Sequence, residues 1–108
     1  MNSVEVVRGA IELIQKGWTQ KALARNEGGW TVSPTHEGAC TWCIEGALFK
    51  AKWDLFPDKE DEHLDPMASR LVAFFRAPIS EWNDQEDRTQ SEVVEAMKEF
   101  LNSEESLS

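Results

Sequence analysis

His36, Cys40, Cys43 and His63 are the residues whose types and spacing could do chemistry. The first three lie four and three apart, so on one helix an imidazole and two thiolates would converge, and His63 would complete a zinc set. Cys43 could instead act as a nucleophile, with His36 or His63 taking its proton and a carboxylate such as Asp84 orienting the ring. The Cys-x-x-Cys spacing also has the form of a redox pair, in which a helix N-terminus lowers the first thiol's pKa.

Each of these readings lacks part of its context. A thioredoxin-like pair needs a preceding strand in a βαβ unit, and no such pattern is present. His63 sits among acids where solvation is the default, His36 precedes the predicted helix, and no second close ligand pair accompanies His63. Both cysteines also fall on an apolar stripe, and free cysteine behaves as a small hydrophobe. Core packing is therefore the leading expectation. No catalytic residue, metal or cofactor is assigned; Cys43, His36 and His63 stand as second-rank catalytic candidates, and His36, Cys40, Cys43 and His63 as second-rank metal ligands. Asn26-Glu27-Gly28-Gly29 lacks the lysine and the spacing of a phosphate-binding loop.

A second group is polar. Trp82-Asn83-Asp84 followed by Arg88-Thr89 lies next to a predicted helix start, where side chains commonly cap backbone amides. Arg25 is expected to pair with an acid such as Asp84, because buried charge is tolerated chiefly when paired. Structural use is the leading expectation for these residues. As a binding surface the candidates are Arg25, Trp82, Asn83, Asp84 and Arg88, together with the acidic run Asp58, Glu60, Asp61 and Glu62.

The elements that must position these groups are mostly helices. Asn2 or Ser3 caps a first helix with a stripe of Val4, Val7, Ala10, Ile11, Ile14 and Trp18, ended by Gly17. Residues 21–33 carry a turn signal at 26–29 and read as a short β-hairpin or folded loop. After Ser33-Pro34-Thr35, a second helix shares one face among Cys40, Cys43, Ile44, Ala47, Leu48, Ala51 and Leu55, and Pro57 closes it. Gly46 inside it costs about 1 kcal/mol against alanine, so another backbone is expected to approach there. Asp65-Pro66 opens a third helix, with Met67, Leu71, Phe74 and Phe75 inward and an end before Pro78. Residues 79–87 read as a turn carrying Trp82. Thr89 and Glu92 form a capping box for a last helix with Val93, Met97, Phe100 and Leu101 buried. The expected fold is mainly α, a compact bundle of about four helices with a short β-hairpin near residues 21–33. Residues 1–102 form one domain and 103–108 a frayed tail.

Composition bounds what this domain can do. The 108 residues include five Trp and five Phe, which supply much of the apolar area available to a core. Twenty acids against eleven bases give a net charge of −9, which repels phosphate backbones and speaks against direct nucleic-acid binding. Apolar runs are interrupted by charge, and the start Met1-Asn2-Ser3-Val4-Glu5 does not read as a signal peptide. With two cysteines and no disulfide framework, the expectation is a cytoplasmic protein away from membranes.

Four blocks carry a family resemblance: Gly17-Trp18-Thr19-Gln20 followed by Ala22-Leu23-Ala24-Arg25-Asn26; Ser33-Pro34 leading to Trp42-Cys43-Ile44-Glu45-Gly46-Ala47-Leu48; Trp82-Asn83-Asp84; and Arg88-Thr89-Gln90-Ser91-Glu92-Val93. In order and spacing they span most of the chain, which resembles the domain-of-unknown-function 6197 family of small bacterial and phage proteins. The resemblance implies a compact intracellular domain and brings no activity to assign to Cys43, Arg25 or Asp84. Asn26 stands where the family pattern has an acid, and Cys40 is an extra cysteine, so neither an Arg–acid pair nor a two-cysteine site follows from it.

The functional expectation is a small acidic protein-binding module, of phage or mobile-element type, that regulates or inhibits a host nucleic-acid enzyme. Its partner is a basic protein surface, with no direct nucleic-acid contact and no membrane, and the sequence specifies no oligomeric state. Acidic patches at Asp58 to Asp65 and Glu81 to Asp87 would steer that association. The alternatives are a Cys43-dependent hydrolase or transferase and a zinc-stabilised domain; the non-enzymatic reading leads.

Overall fold

The computed structural model describes residues 3–57 and 64–107. Asp58, Glu60, Asp61, Glu62 and His63, singled out above, lie outside the described residues.

The first helix, α1 (Ser3–Lys16), forms where expected and ends as its Gly17 amide donates to the Leu13 carbonyl. It buries Val4, Val6, Val7, Ala10, Ile11 and Ile14, a wider stripe than a single interface needs. The reason is that α1 packs against two helices, α2 (Ile44–Leu55) and α5 (Gln90–Leu107). Between α1 and α2 the approach is close: a Cβ on Gly9 would stand 3.0 Å from the Ala51 methyl. Met67 and Leu71 of α3 (Leu64–Phe75), Ile79 of the short α4 (Ile79–Asn83), and Val93, Met97 and Phe100 of α5 complete the core. The molecule is thus mainly helical, with five helices among the described residues, and none of them is long and apolar enough to cross a membrane. Its radius of gyration of 12.9 Å is that of a compact chain of this length, about 13 Å for 100 residues.

The β element is a two-stranded antiparallel sheet, β1 (Ala24–Arg25) with β2 (Thr41–Trp42), in register Ala24 to Trp42 and Arg25 to Thr41. The hairpin expected near 21–33 is present as well, as a fold-back in which the Asn26 amide donates to the Trp30 carbonyl and the Val32 amide to that of Ala24. Arg25 therefore has Thr31 on one side and Thr41 on the other, while Trp42 bridges to Trp18 in parallel. Pairing on two sides is what makes so short a strand persist.

Several elements differ from expectation. The second helix starts at Ile44, so Cys40 is not on it: residues 33–39 form successive turns, with His36 amide to Ser33 carbonyl and Ala39 amide to His36 carbonyl, before the chain extends into β2. Trp18 lies beyond α1 rather than on its stripe, Leu55 is 47% exposed and Phe74 39%. Helix α3 includes Leu64 and Asp65, so Asp65 lies in its first turn rather than at its cap. Part of the 79–87 turn is helical, as α4. Of the five tryptophans only Trp42 is fully in the core. Its indole donates to the Pro34 carbonyl at 3.1 Å and holds the 33–39 turns against the sheet.

The last helix bears out its capping box: the Thr89 amide donates to Glu92 Oε1 at 3.1 Å, and the Glu92 amide to Thr89 Oγ1 at 3.2 Å. It also runs on to Leu107, through residues expected to fray. Glu104 explains this, since it is buried and held by two parallel bonds from Arg70 of α3, Nε to Oε2 at 2.8 Å and Nη2 to Oε1 at 2.7 Å. The Arg70 bonds, helped by one from Ser3 and opposed by burial, hold the Glu104 carboxyl below the usual range. A depressed folded pKa adds stability above the unfolded value, about 4.3 for glutamate, and that stability disappears as pH falls through the folded value. Glu104→Gln is accordingly expected to cost about 1–3 kcal/mol at neutral pH. In urea titrations across pH, its gap from wild type should close as acid is added; a constant gap would contradict the assignment.

Candidate functional site

Asn83 is fully buried at the point where three distant segments meet. Its Oδ1 accepts from Trp18 Nε1 at 2.9 Å and from the Ile44 amide at 3.1 Å, the second being one of the orphan donors at the start of α2. Its Nδ2 donates to the Thr19 carbonyl at 3.2 Å and to Asp84 Oδ1 at 2.9 Å. Gln20 Nε2 reaches the carbonyls of Asn83 and Gln85, and the Lys21 amide donates to Asp84 Oδ1 at 2.8 Å. Lys21 has φ 62, a left-handed conformation that this last bond helps to hold.

Neighbouring aromatic and basic groups are equally committed. Trp82 is sandwiched between the Phe75 ring, 4.0 Å away and parallel, and the Arg88 guanidinium, 3.7 Å above its centroid. Arg88 Nε also donates to the Trp82 carbonyl. Trp82, Asn83, Asp84 and Arg88 are thus brought together, and Asn83, Asp84 and Arg88 bond one another, the backbone, or the side chains of Trp18, Gln85 and Glu92.

Arg25 is not paired with Asp84. Its Nε donates to Thr19 Oγ1, Nη1 to the Gly29 carbonyl at 3.0 Å, and Nη2 to the Gln20 carbonyl. Loop carbonyls satisfy the guanidinium where a carboxylate was expected, because the loop folds back within its reach.

Cys43 is the N-cap of α2, and its Sγ accepts from the Gly46 amide at 3.3 Å. Burial pushes its thiol pKa up, the Gly46 amide opposes this, and the charges of Glu45 and Asp84 add to the rise. A nucleophilic cysteine needs the reverse shift. His36 is exposed, with Nδ1 accepting from the Gly38 amide at 2.8 Å, and Cys40 is partly buried with its amide donating to the Arg25 carbonyl. Among the described residues no three His, Cys, Asp or Glu side chains gather as a metal-binding set. The turn at 33–39 removes the helical spacing that would have aligned His36, Cys40 and Cys43. Cys43 borders a shallow pocket of about 230 Å³ with Lys21, Leu23, Glu45, Ser80 and Asp84, and among the described residues no imidazole lines it to serve as a base. Under native conditions iodoacetamide is expected to label Cys40 while Cys43 stays unmodified until the chain is unfolded, as read by peptide mass spectrometry. Faster labelling of Cys43 would return it to the catalytic candidates.

Another concentration of exposed features is the loop between Arg25 and Thr31. Trp30, which closes the turn opposite Asn26, is 74% exposed. The loop beneath it is tightly bonded: Asn26 Oδ1 accepts from the Gly28 and Trp30 amides, both at 3.0 Å, and the Asn26 carbonyl accepts from the Gly29 amide. Gly29 has φ 84, the conformation that favours glycine. Beside the loop lies an open groove of about 420 Å³, with Asn26, Glu27 and Gly28 on one side and Glu37, Gly38, Ala39 and Cys40 on the other. The sequence reading missed this locus. Its one signal was a tryptophan directly after Asn-Glu-Gly-Gly, a turn composition that puts the following side chain near the surface.

The model of a family of unknown function, DUF6197, matches residues 1–100. The chain belongs to that family. No curated protein and no solved structure matches it. The matched span contains both the Asn83 hub and the Trp30 loop of this DUF6197 protein. The first holds the fold together; the second presents an ordered aromatic and two exposed carboxylates, Glu27 and Glu37, to solvent.

Proposed function

We propose that the chain is an acidic protein-binding module that docks a lysine- and arginine-rich surface through the Trp30 loop. The observation that carries this reading is Trp30 itself, 74% exposed on a loop whose hydrogen bonds fix its position. Tryptophan leads the residue types that dominate interface energies, and a loop ordered before binding loses little entropy on docking. The surrounding charge supports the sign of the partner: Glu27 and Glu37 flank the loop and the chain carries −9 overall. Basic surfaces of this kind are what nucleic-acid enzymes use to hold phosphates. A module that occupies such a surface excludes the nucleic acid and so regulates or inhibits the enzyme, a role suited to a phage or mobile element.

Cysteine chemistry is the less favoured reading, because Cys43 is a capped, buried thiol flanked by Glu45 and Asp84. The test uses immobilised wild type and Trp30→Ala, which removes an exposed side chain and should leave far-UV circular dichroism and the melting temperature unchanged. Wild type is expected to retain basic proteins from a cell lysate at low salt and to release them to high salt or to added duplex DNA. Trp30→Ala is expected to lose most of that retention, since hot-spot truncation costs about 2 kcal/mol or more, roughly thirtyfold in affinity. Equal retention by both proteins, or retention indifferent to salt and DNA, would refute the proposal.

A further inference from the structure

We infer that the outward face of α1, with the groove between it and α2, docks a second copy of this chain, the two α1 helices lying antiparallel about a two-fold axis. Glu5, Arg8, Glu12 and Lys16 are exposed along this face, which shares no residue with the Trp30 loop and does not depend on its role. The order of these charges selects the occupant. Glu5 with Lys16, and Arg8 with Glu12, are both centred within one residue of Ala10. An antiparallel copy crossing at that height therefore sets each acid level with a base of its neighbour. A two-fold interface demands this self-complementarity, because every contact in it occurs twice. The antiparallel arrangement also brings the positive N-terminal end of each helix beside the negative C-terminal end of the other.

The charges are available for such contacts. Among the described residues Glu5, Glu12 and Lys16 have no ion-pair partner, and Arg8 meets Glu105 through one contact of 3.4 Å between exposed groups, a pair of little worth in water. Two acids and two bases cancel, so this face is neutral on a chain that carries −9. It offers a basic surface no net attraction, whereas two copies meet on it without like charges facing each other. Apolar surface lies beside the charges. The groove, about 430 Å³, has Gly9 and Ala51 in contact at its floor and is bordered by Leu13 and by Leu55, which is 47% exposed. A helical side chain leans toward its own N-terminus and covers the level about one residue earlier. Leu13 of one copy thus comes to the height of Gly9 in the other, where no side chain obstructs it.

The experiment is sedimentation equilibrium of the full chain as wild type, as Arg8→Glu and as Glu12→Arg. Wild type is expected to rise from 12.3 kDa towards twice that mass as its concentration is raised to about 1 mM. Each variant alone sets like charges against each other at both central crossings, and should dimerise about tenfold more weakly or worse. Mixed in equal amounts the two variants are complementary, since each supplies the charge that the other lacks, and association should return to within about threefold of wild type. Both substituted side chains are exposed, so each variant should keep the wild-type far-UV circular dichroism. Recovery on mixing is a readout that a folding defect cannot produce. A wild type that stays at 12.3 kDa, a dimer indifferent to both reversals, or a mixture that associates no better than its components would overturn the assignment.

Discussion

Asn83→Ala is expected to lower the unfolding free energy by about 3–5 kcal/mol, because it strands two donors and an acceptor and leaves a space behind. The Trp18 indole N–H, the Ile44 amide and the Thr19 carbonyl all lose a partner that is itself inaccessible to water. Each buried group left unsatisfied costs about 1–3 kcal/mol, and the total is a large part of the 5–15 kcal/mol typical of a whole domain. Urea unfolding followed by circular dichroism would show a lower midpoint at an unchanged slope. Asn83→Asp is the informative companion, since it keeps the accepting oxygen but removes the donor to Thr19 and places a second carboxylate against Asp84. A loss below about 1 kcal/mol in Asn83→Ala, the size of an ordinary solvated hydrogen bond, would mean that water replaces the side chain and the hub is not the anchor described.

Gly46→Ala is the second substitution with a large expected cost, although alanine is the better helix former by about 1 kcal/mol. The added methyl would overlap the Leu23 carbonyl and its neighbouring backbone atoms, which no rotamer change can relieve. That carbonyl accepts the Cys43 amide at 3.2 Å, so moving it away also breaks the bond that ties the approach to β1 onto the start of α2. Overpacking of about 1–3 kcal/mol plus a lost hydrogen bond outweighs the propensity gain, for a net loss of about 2–3 kcal/mol, or roughly 10 °C in melting temperature. Gly29→Ala is the control: its Cβ would meet nothing within 4 Å, and only the positive φ is penalised, by about 1 kcal/mol. If the two variants melt together, close backbone approach is not what selects glycine at position 46.

These two positions differ in how far sequence reasoning could reach them. Gly46 was legible because a glycine inside a helix has no local advantage, so its presence already implied a neighbour. Thr89 and Glu92 were legible for a related reason, as their interaction spans three residues and needs nothing from the rest of the chain. Asn83 was picked out as polar and structural, but all of its side chain's partners except Asp84 lie 39 to 65 positions away, beyond any periodicity. The Cys40–Cys43 face was misassigned because a spacing of three fits a helix as well as it fits an extended segment running into an N-cap. Arg25 was given a carboxylate because charge pairing is the common solution, and the folded loop supplied carbonyls in its place. Burial of tryptophan is set by tertiary contacts, so Trp42 in the core and Trp30 on an exposed turn could not be told apart by residue type.

The Asn83 hub also bears on the order in which the chain assembles. Closing contacts between residues 18–20, 44 and 83 spans most of the polypeptide, and loop-closure entropy delays contacts of such separation until the helices have found one another. Interactions formed after the transition state govern how fast a native protein comes apart rather than how fast it forms. The hub therefore acts as a latch: what it sets is the lifetime of the native state.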